Sequence, residues 1–397
     1  MTKPDLAIGP YTLTSAFGCG RQATRAALRA GRSALRPYES AQVFCHVGEV
    51  ADLAQLSWPA AFARYDCRNN RLALASLEAD GFSAAVAALR ARLGAGRIGC
   101  VMGTSTSGIG ATEAAYRALR AAGEEVLPAS FPYRETHNIH SVGDFVHRWL
   151  GLKGPAFTVS TACSSSAKVF GAAARLIASG TCTAVVVGGV DSLCATTIHG
   201  FAALQLLSTR PARPFSADRD GISVGEAAGF AIVAPRGLVE DATFRLCGIG
   251  DSSDAYHMTA PHPHAAGAIS AMTQALARAR LAPADLDYIH LHGTGTVLND
   301  AAEDLALASI GATAVPASSL KGALGHTLGA AGLAGVVLTA EAMAEGLIPA
   351  TTNTHTVDPL LRCAIAVAPG RRTMRRALIN AFGFGGSNST LIIESIA

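Results

Sequence analysis

Residues 98–103 and 183–188 are unbroken runs of small and apolar residues. They constrain the fold more than any other feature of this chain. A strand that is apolar on both faces must be covered on both, as a parallel strand between helical layers is. Longer segments with helical spacing, 111–122, 265–281 and 329–345, alternate with such runs. The alternation predicts an α/β protein with largely parallel sheets. At 397 residues the chain exceeds one simple domain, so two domains or two fused halves are expected. A boundary fits residues 235–241, where a strand-like run ending at Ile232-Val233 meets Pro235-Arg236-Gly237. Residues 1–237 and 238–397 are therefore read as two halves of similar architecture.

Several functional classes lose support at once. Formal net charge is only +3, with no basic run or aromatic-interleaved basic stripe of the kind that binds nucleic acid. The N-terminus lacks a charged region followed by an apolar stretch, and no window of about 18 uninterrupted apolar residues occurs. Neither secretion nor a membrane span is expected. The nine cysteines are scattered without a Cys-x-x-Cys pair, so no zinc site or disulfide framework is expected. A reducing cytoplasm is the natural compartment.

One cysteine stands apart. Residues 156–160 read as a strand and 164–178 as an Ala-rich helix, so Cys163 falls at the strand-to-helix turn. Unpaired N–H groups and the positive end of the helix dipole at such a turn stabilise a thiolate and can hold an oxyanion. The surrounding Thr161, Ala162, Ser164, Ser165, Ser166 and Ala167 are small, which leaves a substrate room. The alternative is a small buried hydrophobe, the ordinary state of a free cysteine.

Two later turns carry matching chemistry. A strand at 287–291 runs into His292-Gly293-Thr294-Gly295-Thr296, with Asn299, Asp300 and Glu303 opening the next helix. Open α/β sheets place their sites at such carboxyl ends, and a histidine there can donate to a developing enolate or accept a proton. The second turn, Lys321-Gly322-Ala323-Leu324-Gly325-His326, leads into a Gly/Ala-rich helix. Lys321 is a rare choice, one of only four lysines. Finally Phe382-Gly383-Phe384-Gly385-Gly386 precedes the last strand, and its glycines allow backbone to approach a ligand. A P-loop is excluded there by the missing Lys-Ser/Thr.

These segments, with Arg213, Asp218, Asp220-Gly221 and Gly225-Glu226, resemble the β-ketoacyl-acyl carrier protein (ACP) synthases, elongating condensing enzymes of the thiolase superfamily. The likeness runs from about residue 98 to the end. It implies a thiolase-like fold, two βαβαβαββ halves in a five-layered αβαβα arrangement, as a dimer. It further implies that Cys163 accepts an acyl group from acyl-ACP, with the N–H groups of Cys163 and Phe384 as oxyanion hole. His292 and His326 would then hold malonyl-ACP while it loses carbon dioxide, giving 3-oxoacyl-ACP. Lys321, Glu303 and Asp300 match supporting charges, and Thr294 and Thr296 match phosphopantetheine contacts. Ile109, Phe201 and Phe384 match the acyl pocket and its gate. No bound cofactor is implied, because substrates ride on the phosphopantetheine arm of ACP.

Gly335 departs from the pattern by replacing a glutamate near the lysine, so Glu303 is expected to take a larger share of balancing Lys321. Arg64, Arg68 and Arg71, at helical spacing, are candidates for docking acidic ACP, against the alternative of a solvated face. Tyr65 to Arg71 and Gly188 to Cys194 look similar to synthases of bacterial aryl polyene pathways, which leaves fatty-acid and aryl polyene roles both open. The dimer partner is likewise open between a second copy and a cysteine-lacking chain-length subunit. This chain could itself be such a non-catalytic subunit, but Cys163, His292 and His326 are all present. A degradative thiolase would carry a second cysteine in the final glycine turn, and residues 380–388 contain none.

Overall fold

A computed structural model describes residues 5–239 and 242–396. Lys3 and the end of the expected boundary, Glu240 and Asp241, lie outside the described residues. Ten strands carry the architecture: β1 Leu6–Ser15, β2 Ile98–Gly103, β3 Ala156–Val159, β4 Ala184–Asp191, β5 Ala227–Pro235, β6 Phe244–Ser253, β7 Tyr288–His290, β8 Ala317–Ser318, β9 Arg376–Gly383 and β10 Ser387–Ser395. Their spatial order is β8-β7-β9-β10-β6-β1-β5-β4-β2-β3.

That order is one plan used twice. Counted outward from the centre, β1-β5-β4-β2-β3 and β6-β10-β9-β7-β8 both run first, fifth, fourth, second, third in chain order. Strand directions repeat as well. The second strand is parallel to the third and fourth in each half, and the fourth-to-fifth and fifth-to-first pairings are antiparallel. The halves meet where β1 pairs antiparallel with β6, Ala7 opposite Arg245.

Burial explains the layers. All eight residues of β4 are buried, as a strand covered on both faces must be. Two helices form the middle layer, α6 Ser165–Ala178 after β3 and α10 Ala331–Ala344 after β8. They pack on each other and on strands of both halves. Helix α10 is apolar except at Thr339 and Glu341, the latter paired with Arg21 and Arg25, and almost wholly buried, the signature of a core helix. Outside the first half lie α2 Arg68–Glu78, α3 Phe82–Leu93 and α5 Ser141–Trp149. Outside the second lie α8 Ala266–Ala279 and α9 Val297–Ser309.

The run Arg68–Leu93 is long and apolar enough, by length and composition, to cross a membrane. It is not one straight helix. Asp80 and Gly81, with φ of 54° and 69°, separate α2 from α3. Leu72, Leu77, Phe82 and Val86 are fully buried against Ile98, Met102 and Phe145 in the core of the first half.

The middle layer depends on close backbone approach. A Cβ added at Gly332 of α10 would lie 2.4 Å from the backbone nitrogen of Ala167 in α6. Alanine favours a helix over glycine by about 1 kcal/mol, but overpacking of backbone against backbone costs more than that. Gly332→Ala is expected to lower stability by about 2 kcal/mol, read from the urea midpoint at unchanged m-value.

Candidate active site

The duplication brings equivalent turns to one place. Cys163 precedes α6 after the third strand of the first half, and His326 precedes α10 after the third strand of the second. His326 Nε2 lies 2.9 Å from Cys163 Sγ. His292, after β7, stands edge-on to His326 with ring centroids 5.3 Å apart. All three line a cleft of about 270 Å³ with Thr294, Thr296, Phe201 and Phe384.

Hydrogen bonds assign the tautomers. Leu328 N–H donates to His326 Nδ1 at 3.2 Å, so the ring proton of neutral His326 sits on Nε2 and points at sulfur. Lys321 Nζ lies 3.4 Å from His292 Nδ1 and donates to the His292 carbonyl oxygen. His292 therefore also presents Nε2–H. Burial first, then the Lys321 charge, hold both imidazoles well below the usual histidine value. His326 points its N–H at the sulfur, and His292 shares the cleft with both.

The backbone turns are strained to achieve this. Ala162 and Leu328, beside Cys163 and His326, have φ of 50° and 53°, a region costly for residues other than glycine. The backbone N–H groups of Cys163 and Phe384 both face the sulfur and favour its thiolate.

Three expectations about this turn and its cleft are corrected. The helix terminus was expected to lower the Cys163 thiol, yet burial pushes it up to about 11, outweighing the Lys321 charge and the two N–H groups. Ser164, Ser165, Ser166 and Ala167 do not open space for substrate, since all four are fully buried. The serine hydroxyls tie the turn to itself and to α10, Ser165 accepting from Thr161 N–H and Ser166 from Leu333 N–H. Ile109 is half-buried at the start of α4 Ile109–Ala122 and does not line the cleft, whereas Phe201 does, its ring 5.9 Å from that of Phe384.

Glu303 and Asp300, both fully buried on α9, hold the His292 loop. Glu303 accepts the N–H groups of His292 and Gly293 at 2.8 Å each, and the Asn380 amide at 2.9 Å. Asp300 accepts from Thr294 and Phe215, while the Thr294 and Thr296 hydroxyls bond each other at 2.9 Å. Among the described residues no carboxylate forms an ion pair with Lys321. Glu303 thus acts on Lys321 only through its field; its oxygens are spent on the His292 and Gly293 N–H groups and the Asn380 amide. Burial pushes Glu303 up, its hydrogen bonds from Gly293, Asn380 and His292 holding it back in part, and pushes Lys321 down, the Glu303 charge partly restoring it.

The arginine face is not formed. Arg64 ends a 3₁₀ turn, Ala60–Tyr65, and reaches Glu135. Arg68 binds the buried Glu226 together with Glu49 and the Val50 carbonyl, and Arg71 grips Asp66 and the Leu56 carbonyl. Arg68 and Arg71 are committed to internal partners and do not form a shared docking surface with Arg64.

Asp191, at the end of β4, was not singled out from sequence. Its carboxylate accepts from Thr104 Oγ1, from the N–H and hydroxyl groups of Ser105 and Thr106, and from Gly329 N–H at 2.6 Å. It ties the first half to the segment carrying His326. An acid closing an otherwise apolar buried strand was the available signal.

Among the described residues no group of three or more His, Cys, Asp or Glu side chains is placed to hold a metal ion, and all nine cysteines are free thiols.

Two matched αβ halves sharing a central helical layer, with cysteine and histidine at equivalent turns, define a thiolase-like protein. Residues 72–237 match the β-ketoacyl synthase N-terminal domain and residues 243–355 the β-ketoacyl synthase C-terminal domain. Nodulation protein E of Rhizobium meliloti is 32% identical over 402 residues, covering 93% of this chain and 94% of that one. The chain belongs to the β-ketoacyl synthase family. The 3-oxoacyl-[acyl-carrier-protein] synthase 2 of the same organism is 38% identical over 267 residues, 61% of each chain. The mitochondrial synthase of Arabidopsis thaliana is matched over 58% of its length, so the alignments span less than two thirds of these two relatives. Among solved structures, the ketosynthase ApeO of Xenorhabdus doucetiae, in complex with its chain length factor ApeC, superposes with a TM-score of 0.91. It is 34% identical, covering 99% of this chain and 98% of that one. A β-ketoacyl synthase from Burkholderia phymatum gives 0.88 at 29% identity, covering 99% of this chain and 100% of that one.

Proposed function

We propose that this protein joins an acyl group held on Cys163 to malonyl-ACP by decarboxylative Claisen condensation. The observation that carries the reading is the meeting of Cys163 Sγ, two neutral imidazole N–H donors and two backbone N–H groups at the base of one cleft. In the first step Cys163 sulfur attacks the acyl thioester carbonyl, and the ACP thiol leaves with the cysteine proton. The Cys163 and Phe384 N–H groups hold the tetrahedral oxyanion. Malonyl-ACP then enters, its thioester oxygen receiving the His292 and His326 N–H bonds. The bond to the carboxylate breaks, carbon dioxide departs, and the enolate carbon attacks the acyl-cysteine. Sulfur leaves, and 3-oxoacyl-ACP is the product. Thr294 and Thr296 would contact the phosphopantetheine arm, with Phe201 and Phe384 closing on the acyl chain. Lys321 acts by holding His292 rather than by moving a proton.

The acyl cargo of the aryl polyene branch, an aromatic polyunsaturated chain, is proposed on the segments Tyr65 to Arg71 and Gly188 to Cys194. The likeness to a ketosynthase held by its chain length factor supports a chain-length-type partner subunit, with a homodimer as the other outcome. Strand β3 closes one end of the sheet and leaves Phe157 37% exposed, an edge a partner strand could extend. The test is incubation with saturated, unsaturated and aromatic acyl-ACPs, followed by intact mass. An acyl adduct on Cys163 is expected, largest with the aromatic cargo. No adduct from any of them refutes the enzyme reading, and equal loading of saturated chains refutes the aryl polyene assignment.

A further inference from the structure

Lys321 is surrounded by titratable groups from every element packed on it. Glu303 and Asp300 face it from α9, Cys163 from the turn before α6, His292 and His326 from their loops, and His290 from β7. Beside it lies a small cavity of about 20 Å³ lined by His290, Lys321, Thr327, Leu320, Ala334 and Gly335. That volume holds one water molecule.

His290 is the unexplained member. It is only 6% exposed, its ring makes no hydrogen bond to the described residues, and Nδ1 is fully enclosed without a partner among them. A buried polar atom without a partner is costly. The imidazole fits because residue 335 is glycine. A Cβ there would lie 3.1 Å and 3.2 Å from His290 Cδ2 and Nε2 and 3.0 Å from Ile379 Cγ2. Ring, glycine and Lys321 all line the cavity.

We propose that His290 is a positioning residue for Lys321. Its neutral imidazole, through the Nε2 that faces Gly335 and not the enclosed Nδ1, joins the ammonium through one water in this cavity, with the Thr327 hydroxyl as the third partner. A neutral group holds a buried ammonium less firmly than a carboxylate does, so Lys321 gives up its proton more readily than if an acid stood there. Burial and the Lys321 charge hold His290 far down, to about 3, so it stays neutral while Lys321 titrates. On the condensing reading, the Lys321 charge polarises His292 through Nδ1 and strengthens its Nε2–H, and losing that charge slows decarboxylation.

The experiment follows Lys321 directly. In the full protein labelled with ¹³C-lysine, the four lysines are few enough to resolve, and Lys321→Arg assigns the signal. Decarboxylation of malonyl-ACP is measured across the same pH series. In the wild type both the Lys321 titration and the alkaline limb of decarboxylation are expected below the ordinary lysine range. His290→Phe lowers both by about one pH unit, a tenfold loss of rate on that limb. His290→Gln, which keeps polar contact with the water, stays close to the wild type. The double variant His290→Ala/Gly335→Glu sets a carboxylate in the space vacated by the imidazole and raises both by at least about one unit. A purely packing role would alter stability and leave the titration in place. A Lys321 titration that coincides in the wild type, His290→Phe and the double variant overturns the proposal. If His290→Phe does not fold, an unmoved titration in the double variant does so alone. A titration that shifts as expected in a protein without decarboxylase activity refutes the condensing reading and leaves this one standing.

Discussion

Cys163→Ala takes up no acyl group from any acyl-ACP, and its condensation rate falls by at least about a thousandfold. The sulfur is the atom toward which the His326 Nε2–H and the Cys163 and Phe384 N–H groups converge, and alanine leaves them nothing to act on. Decarboxylation of malonyl-ACP survives in this variant, because on the proposed mechanism the histidines, not the sulfur, hold the thioester oxygen. The wild-type thiol has its own pH signature. Burial raises it to about 11, so at neutral pH it rests as the thiol. Its modification by iodoacetamide should quicken about tenfold per unit between roughly pH 7 and 10. Peptide mapping separates this signal from the exposed Cys19. A labelling rate already flat at neutral pH would show that the thiolate is preformed, and an undiminished acyl adduct on Cys163→Ala would place the nucleophile elsewhere.

The site residues legible in the sequence were those whose chemistry is carried by type and local setting. Cys163, His292, Lys321 and His326 each follow a strand in a turn of small residues, and the fold brings all four together. The helices 111–122 and 265–281 fall within two residues of their observed limits, because their periodicity is local. Helix α10 begins at Ala331 and not at 329, since Leu328–Ala330 forms a 3₁₀ turn around the left-handed Leu328. Groups whose partners are remote in sequence could not be read. Asp191 collects N–H groups from residues 105, 106 and 329, and no spacing along the chain encodes that. Arg64, Arg68 and Arg71 looked like one helical face, yet a 3₁₀ turn ends at Tyr65 before α2 begins, and Glu135, Glu49 and Glu226, which bind Arg64 and Arg68, come from three other places in the chain. The Cys163 thiol was misjudged for a related reason: a helix terminus is visible in sequence, but the burial that overrides it is not.

His326→Ala is expected to slow decarboxylation and condensation by two to three orders of magnitude, about what loss of one oxyanion donor costs. Acyl loading should fall less, because the two backbone N–H groups at the sulfur remain. The distinction separates two roles for this imidazole. As a base for Cys163 it would need a free Nε2, but the Leu328 N–H bond to Nδ1 assigns the proton to Nε2. On the proposed mechanism His326 therefore meets substrate as a neutral donor. The pH dependence checks this independently. Both histidines are held well below the usual value, so they stay neutral as pH falls through about 6.5. Wild-type decarboxylation should show no acid limb there. An acid limb near the ordinary histidine value would mean that one imidazole gains a proton in the working range and that burial does not control it. Full decarboxylation by His326→Ala would instead leave His292 as the sole donor at the thioester oxygen. His326→Gln discriminates further, because its amide N–H can still reach the cleft but has no ring nitrogen to accept from Leu328. Partial recovery of decarboxylation over alanine, without recovery of the stability lost with the Leu328 bond, about 1 kcal/mol, is the result that a donor role requires.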